Sequence, residues 1–218
     1  MRHKLVIWGT GGHALVVADI VRLQNEYELV GFLDNVYPER HHMTFCGVPV
    51  LGGEEQLGVL HQHEVSHLLL GFGNCHARLK IAKMLSEKGF CLATAIHPKA
   101  ILASDVQIGV GSVIAAAAVV NPGTVIGENV IINTSASVDH ECFIENGVHI
   151  CPGVHLAGTV SIGQATKVGI GATVINHIRI GRRSVIGAGA VVVHDIPDDV
   201  IAYGVPAIIV RKVEHDDV

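Results

Sequence analysis

One stretch of this chain carries more reactive groups than its surroundings: Asn133-Thr134-Ser135-Ala136-Ser137-Val138-Asp139-His140-Glu141-Cys142. Its polar groups cluster around His140, and an imidazole takes and returns a proton near neutral pH. Asp139 and Glu141 flank that histidine, and either carboxylate could orient the ring and stabilise its charged form. The bland alternative is a surface histidine in a polar turn. Cys142 is the rival nucleophile, but it falls on a register of small inward residues and reads as buried packing. No serine or cysteine is evidently set against the base, so the residues favour direct transfer between two bound substrates over a covalent intermediate. His140, His149 and His155 also invite a second reading, a three-histidine zinc site on a binding module or scaffold.

The elements that must hold this segment are written in a period of six. From Ile96 to Val192 every sixth residue is aliphatic, without a miss. Neither a helix nor a flat strand gives that spacing. It marks hexapeptide repeats, which wind short strands into a parallel β-helix of about 18 residues per coil. The sixth-position aliphatic points inward and stacks on its counterpart one coil away. Two residues earlier lies a second inward position, mostly small or β-branched: Val106, Ser112, Ala118, Thr124, Val130, Ala136, Cys142, Val148 and onward. His140 follows the inward Val138 by two residues, so its side chain is expected to project outward. Gly109, Gly127, Gly163, Gly169, Gly181 and Gly187 follow the aliphatic and are expected to form the tight bends.

Bulk properties exclude several classes. Half of the 218 residues are hydrophobic (49%) yet only 4% are aromatic, as a narrow stacked core requires. Mean hydropathy is high at +0.45, but no long stretch lacks polar residues or glycine, so no membrane span is expected. A net charge of −5 without a basic run argues against nucleic acid as a partner. Leu5–Trp8 is too short an apolar run for a signal peptide and reads as a buried strand. The odd set of five cysteines (Cys46, Cys75, Cys91, Cys142, Cys151) has no CxxC pair, which suggests reduced thiols and a cytoplasmic location. His3, His41, His42, His61, His63 and His215 read as ordinary surface or turn residues.

Residues 1–95 read as a different domain from 96–218. Strands are expected at Lys4–Trp8, Leu29–Leu33, His67–Leu70 and Cys91–Ala95. Helices are expected at Leu15–Leu23, Glu54–His61 and Ala77–Lys88. Their alternation implies a small Rossmann-like parallel α/β sheet. Gly9-x-Gly11-x-x-Ala14 matches the dinucleotide fingerprint, with Asp34 roughly 20 residues on. Glycines admit a ligand close to the backbone, and a helix N-terminus favours phosphate. NAD, a nucleotide sugar or another phosphate ligand, and a plain glycine turn all stay open here. The loops Gly11-Gly12-His13, Asp34-Asn35 and Gly73-Asn74 are expected to converge on one edge of the sheet.

Several of these motifs together carry a resemblance. The Asn133-Thr-Ser to His140-Glu-Cys segment, Pro152-Gly, Leu156-Ala157-Gly158, Ile186-Gly-Ala-Gly and Gly204-Val-Pro-Ala resemble the bacterial left-handed β-helix acyltransferases. The added Gly-Gly-His domain resembles, more narrowly, the NeuD/PglD-like sugar O-/N-acetyltransferases. The resemblance implies a left-handed coil, against the usual right-handed crossover. It also implies a homotrimer with acetyl-CoA between neighbouring β-helices, and no metal. His140 would be the general base for the sugar amine, with Glu141 raising its basicity. His149 would lie near the thioester, and the Gly158 N–H would face its oxygen. Ile170 and Ala188 would contact the pantetheine arm and adenine end. Gly11, Gly12, His13, Asp34, Asn35, Gly73 and Asn74 would bind the nucleotide sugar. The implied reaction is N-acetylation of a nucleotide-linked 4-amino-4,6-dideoxy sugar for surface polysaccharide or glycan synthesis. The close alternative is O-acetylation of sialic acid.

Overall fold

The computed structural model describes residues 2–214. Strand β1 (His3–Trp8) lies at the centre of a six-stranded sheet. Around it run α1 (Gly12–Gln24), β2 (Tyr27–Leu33), β3 (Thr44–Phe45), β4 (Val48–Gly52), α2 (Leu57–Gln62), β5 (His67–Leu70), α3 (Cys75–Glu87) and β6 (Cys91–Leu92). The order is β3-β4-β2-β1-β5-β6, parallel except for the β3–β4 hairpin. Side chains of β1 alternate between two cores. Leu5 and Ile7 meet Ala14, Val17 and Val21 of α1, while Val6 and Trp8 meet Leu57, Leu60, Ala82 and Leu85 of α2 and α3.

One expectation is corrected here, and one element is added. Cys91–Ala95 is not one strand. Cys91–Leu92 completes the α/β sheet, and a separate β7 (Ala95–Ile96) is the first rung of the β-helix. The chain changes sheets between them, which a continuous apolar run does not reveal. The β3–β4 hairpin went unread because its turn is Cys46-Gly47, both left-handed, in place of the usual Asn-Gly signal.

From β7 onward, two-residue strands stack into three parallel sheets. Partners lie 18 residues apart in the chain, as in Val113↔Ile131 and Ile114↔Ile132. The result is a left-handed parallel β-helix. Both inward registers are buried: Ile114, Val138, Ile150 and Val168 on one, Ser112, Ala136, Cys142 and Ala172 on the other. Each fully buried aliphatic contributes about 1.5–3 kcal/mol. Corner hydroxyls bond the backbone of the next coil, as Thr124 Oγ1 does to the Asp139 carbonyl at 2.9 Å.

The glycines that follow the aliphatics do not form the bends. The left-handed residues are Gly111, Ala117, Gly123, Asn129, Ser135, Glu141 and so on to Gly189, two positions further along. Gly109, Gly163 and Gly181 are glycine because a Cβ would stand 2.4–2.6 Å from backbone atoms of the next coil. Close coil-to-coil approach, and not turn conformation, selects them.

The α/β unit covers the outer face of one β-helix sheet. Val113 and Ile131 pack with α1, and Val185 packs beside Cys75 and Leu79. The chain closes with an antiparallel hairpin, Val200–Gly204 against Ala207–Lys212. Beyond Pro206 the chain therefore runs as a strand up to Lys212. Its last residues, including His215, lie outside the described residues. No helix among the described residues is long and apolar enough to cross a membrane.

Candidate active site

His140 stands on an outer corner of the β-helix, with its side chain 55% exposed. The backbone beneath it is pinned on several sides. Glu141 N–H donates to the Pro122 carbonyl at 2.9 Å, and Thr159 N–H donates to the His140 carbonyl at 2.8 Å. Asn121 Nδ2 donates to Asp139 Oδ1, which also accepts from His140 N–H at 2.8 Å. Those two donors hold the Asp139 carboxyl below its ordinary range. Asp139 thus shapes the turn, and Glu141 takes the ring. His140 Nδ1 lies 3.1 Å from Glu141 Oε2. A carboxylate only accepts, so Nδ1 carries the proton and the Nε2 lone pair is left free to act as a base.

Gly158 lies one coil above. A Cβ there would sit 2.5 Å from both Cε1 and Nε2 of His140. Only glycine leaves room for the ring. The Gly158 N–H has no acceptor among the described residues. Ile170 and Ala188 occupy the equivalent position of their repeats, one coil apart, and both are exposed.

His149 has the opposite setting. It is buried at 8% exposure, on the sheet face that meets the α/β unit. Nδ1 lies 3.3 Å from the Gly73 carbonyl and so donates to it; Nε2 accepts from Asn133 Nδ2 at 3.2 Å. Burial, and then the Arg78 cation, push the ring down to about 3. His13, with ring centroids 6.2 Å away, is pushed down to about 4 for the same reasons. Its shielded Nε2 has no partner among the described residues. His149 is therefore a neutral, fully engaged group and no base. No cluster of three metal-binding side chains lies among the described residues, and His140 and His149 stand on different faces of the coil. His155 is instead bonded to Ser137, with Nδ1 2.8 Å from Oγ. That hydroxyl–imidazole pair repeats the coil-to-coil ladder that also joins Asn121 to Asp139.

The strand-end loops enclose a cleft of about 400 Å³ lined by Trp8, Gly11, Asn35, Tyr37, Phe72 and Asn74, among others. Gly11 and Gly12 have nothing within 4 Å of a built Cβ, so their own packing does not demand glycine. Asn35 Oδ1 accepts from Glu54 N–H, and Asn74 caps α3 by accepting from Ala77 N–H at 2.7 Å. Asp34 departs from expectation. It is 2% exposed, and its oxygens accept from Thr10 N–H, Thr10 Oγ1, Val36 N–H and Tyr37 N–H. Burial raises its carboxyl, and those bonds outweigh it and lower it. About four acceptor positions are filled by four donors, so Asp34 shapes the cleft and has none left for a ribose. Gly12, His13 and Gly73 fall outside the cleft lining; His13 and Gly73 face His149 instead.

Residues 4–85 match the PglD N-terminal domain family. Over 96% of the chain, the structure superimposes on the perosamine N-acetyltransferase PerB from Caulobacter crescentus, solved with CoA and GDP-perosamine. The TM-score is 0.91, with 38% identity and 98% of that chain covered. The acetyltransferase domain of PglB from Neisseria gonorrhoeae, solved with acetyl coenzyme A, gives 0.90 at 37% identity, covering 96% of this chain and 100% of that one. WeeI from Acinetobacter baumannii shares the fold at 24% identity, with a TM-score of 0.86 and the same coverage. The chain belongs to the NeuD/PglD-like sugar acetyltransferases. Among the residues that sequence reasoning missed in this NeuD/PglD-like chain, Arg78 is the largest fully buried side chain. Arg40 was also missed; it donates to the Thr10 carbonyl at 2.6 Å and lies 4.1 Å over the Tyr37 ring. Neither falls in a motif, and each acts on backbone carbonyls that a sequence does not display.

Proposed function

We propose that this protein moves the acetyl group of acetyl-CoA onto the 4-amino group of a nucleotide-linked 4-amino-4,6-dideoxy sugar. The arrangement of His140 carries the reading: Nδ1 is tied to Glu141, and Nε2 is free beside Gly158. The neutral amine attacks the thioester carbonyl and His140 Nε2 accepts its proton. The oxyanion that forms is stabilised by the Gly158 N–H. Collapse breaks the C–S bond, and the imidazolium returns the proton to the CoA thiolate. Glu141 stabilises the imidazolium throughout.

In this reading residues 1–95 hold the nucleotide in the cleft beside Gly11, Asn35 and Asn74, and residues 96–218 carry the transfer. Acetyl-CoA runs past Ile170 and Ala188, in the groove between neighbouring copies of a homotrimer. Both substrates are cytoplasmic metabolites, and the product suits surface polysaccharide or glycan synthesis. PerB and PglB support the class of donor and acceptor.

The test is release of CoA thiol from acetyl-CoA with GDP-, UDP- and dTDP-linked 4-amino sugars. Free and CMP-linked sialic acid run alongside. Release with one amino sugar is expected and names the nucleotide. Release with sialic acid alone moves the acceptor to a hydroxyl and sinks the amine reading.

A further inference from the structure

Arg78 is a buried cation without an anion. It is 1% exposed and forms no ion pair among the described residues. Its closer partners are carbonyl oxygens drawn from both halves of the molecule; Cys75 Sγ lies 3.9 Å from Nη2, and burial pushes that thiol up, so it supplies no anion. Nη1 donates to Gly73 at 2.8 Å and to Phe72 at 3.4 Å, in the loop after β5. Nη2 donates to Gly147 at 2.8 Å and to Val148 at 3.2 Å, and Nε to Asn129 at 3.1 Å, all in the β-helix. Burying an unpaired charge costs several kcal/mol. A leucine or methionine of similar volume would join the two units more cheaply. Stability alone therefore does not account for an arginine here.

The position of the bonds suggests what does. Gly73 and Val148 are the two backbone points that bracket His149. The ring donates through Nδ1 to the Gly73 carbonyl, which Arg78 also holds, and Val148 precedes the ring in the chain. We propose that Arg78 is a positioning residue. It clamps the Gly73 loop to the β-helix and thereby fixes His149, the facing His13 and, on either side of Gly73, the Phe72 and Asn74 walls of the nucleotide cleft. The inference rests on the functional reading above for the identity of the substrate. The guanidinium fork suits the task, since one planar group can bridge carbonyls on separate elements.

Charge adds a second consequence. The groups facing His149 are Arg78 from α3, His13 from α1, and Lys167 from the next coil, with Cys75 and Cys151 close by. Burial and then Arg78 hold the ring in its neutral form. A neutral ring donates at Nδ1 and accepts at Nε2, as the bonds to Gly73 and Asn133 require.

The test uses full-length Arg78→Met and Arg78→Lys. Two quantities are read: the His149 imidazole titration by NMR, and KM for each substrate with the amino sugar that the wild type turns over. For Arg78→Met we expect KM for the nucleotide sugar to rise roughly tenfold, with KM for acetyl-CoA unchanged. His149 should then titrate about one pH unit or more above the wild type. Arg78→Lys retains the charge and should keep the titration low. It cannot reproduce the fork, so the raised KM should persist. Arg78→Met that folds with both readouts unmoved overturns the proposal. So does an equal loss of kcat and of both KM values in the two variants with His149 unmoved, the mark of a merely structural role. If the wild type acetylates no nucleotide amino sugar, the functional reading falls, and a crystal structure of Arg78→Lys still decides the clamp: the Gly73 carbonyl should part from His149 Nδ1, and an unmoved loop overturns the proposal.

Discussion

His140 and His149 lie on adjoining coils of one β-helix, and the fold makes them opposites. The first is on an open corner, with a carboxylate at one nitrogen and the other nitrogen unused. The second faces the α/β unit, with both nitrogens occupied and the ring pushed down to about 3. Residue type is the same, so the chemistry comes from place. A corner gives a proton acceptor room and solvent, whereas an interdomain wall converts the same ring into a fixed hydrogen-bonding strut. The difference also separates activity from stability, because an exposed side chain contributes little to the core and a buried neutral imidazole contributes through its unprotonated state.

The comparison breaks most sharply at His140. His140→Ala should lower kcat about 10³-fold, within the usual range for removing a general base. The melting temperature should stay close to wild type, because the ring is exposed. Steady-state kinetics and a thermal melt on the same sample check both halves. Near-full turnover by this variant would dismiss His140 as the base.

Gly158→Ala makes a narrower cut. The added Cβ would lie 2.5 Å from the His140 ring, which is a side chain free to swing outward. Folding should cost at most about 1 kcal/mol, while the displaced base should cost roughly 10²-fold in kcat. A crystal structure of the variant should show the ring turned away from Gly158. Unchanged kcat with the ring displaced would separate the ring's position from the reaction.

These two residues also mark how far the sequence could be read. The period of six declared the β-helix, because each inward aliphatic must stack on the one 18 residues away. That same register put His140 outward and Cys142 inward, as the structure has them. Gly158 was legible only through resemblance, since no spacing rule says that a ring one coil below needs its missing Cβ. Asp34 misled, because a carboxylate after a strand looks the same whether it meets a ribose or its own loops. Arg78 was illegible. Its partners are carbonyls of Asn129, Gly147 and Val148, and nothing in a linear pattern announces that α3 will lean on those coils.

The last difference between the two histidines lies in acid. His149 and His13 fall from an ordinary 6.5 to about 3 and about 4 in the folded chain, through burial first and Arg78 second. The unfolded chain therefore binds protons more readily at both positions. The stability they contribute is complete above pH 6.5 and drains away as the pH falls toward 4 and then 3. Each ring should account for about 1.4 kcal/mol per pH unit within that window. His149→Gln removes one titration and keeps the bonds, since an amide can donate to the Gly73 carbonyl and accept from Asn133. Urea unfolding of the wild type should weaken steadily between about pH 6 and pH 4.5, in the direction linkage requires. The variant should lose roughly half of that slope while starting from a similar stability at neutral pH. Parallel slopes in the two proteins would mean that the buried ring takes up its proton without unfolding, and the wall around His149 would then be wetter and looser than its hydrogen bonds imply.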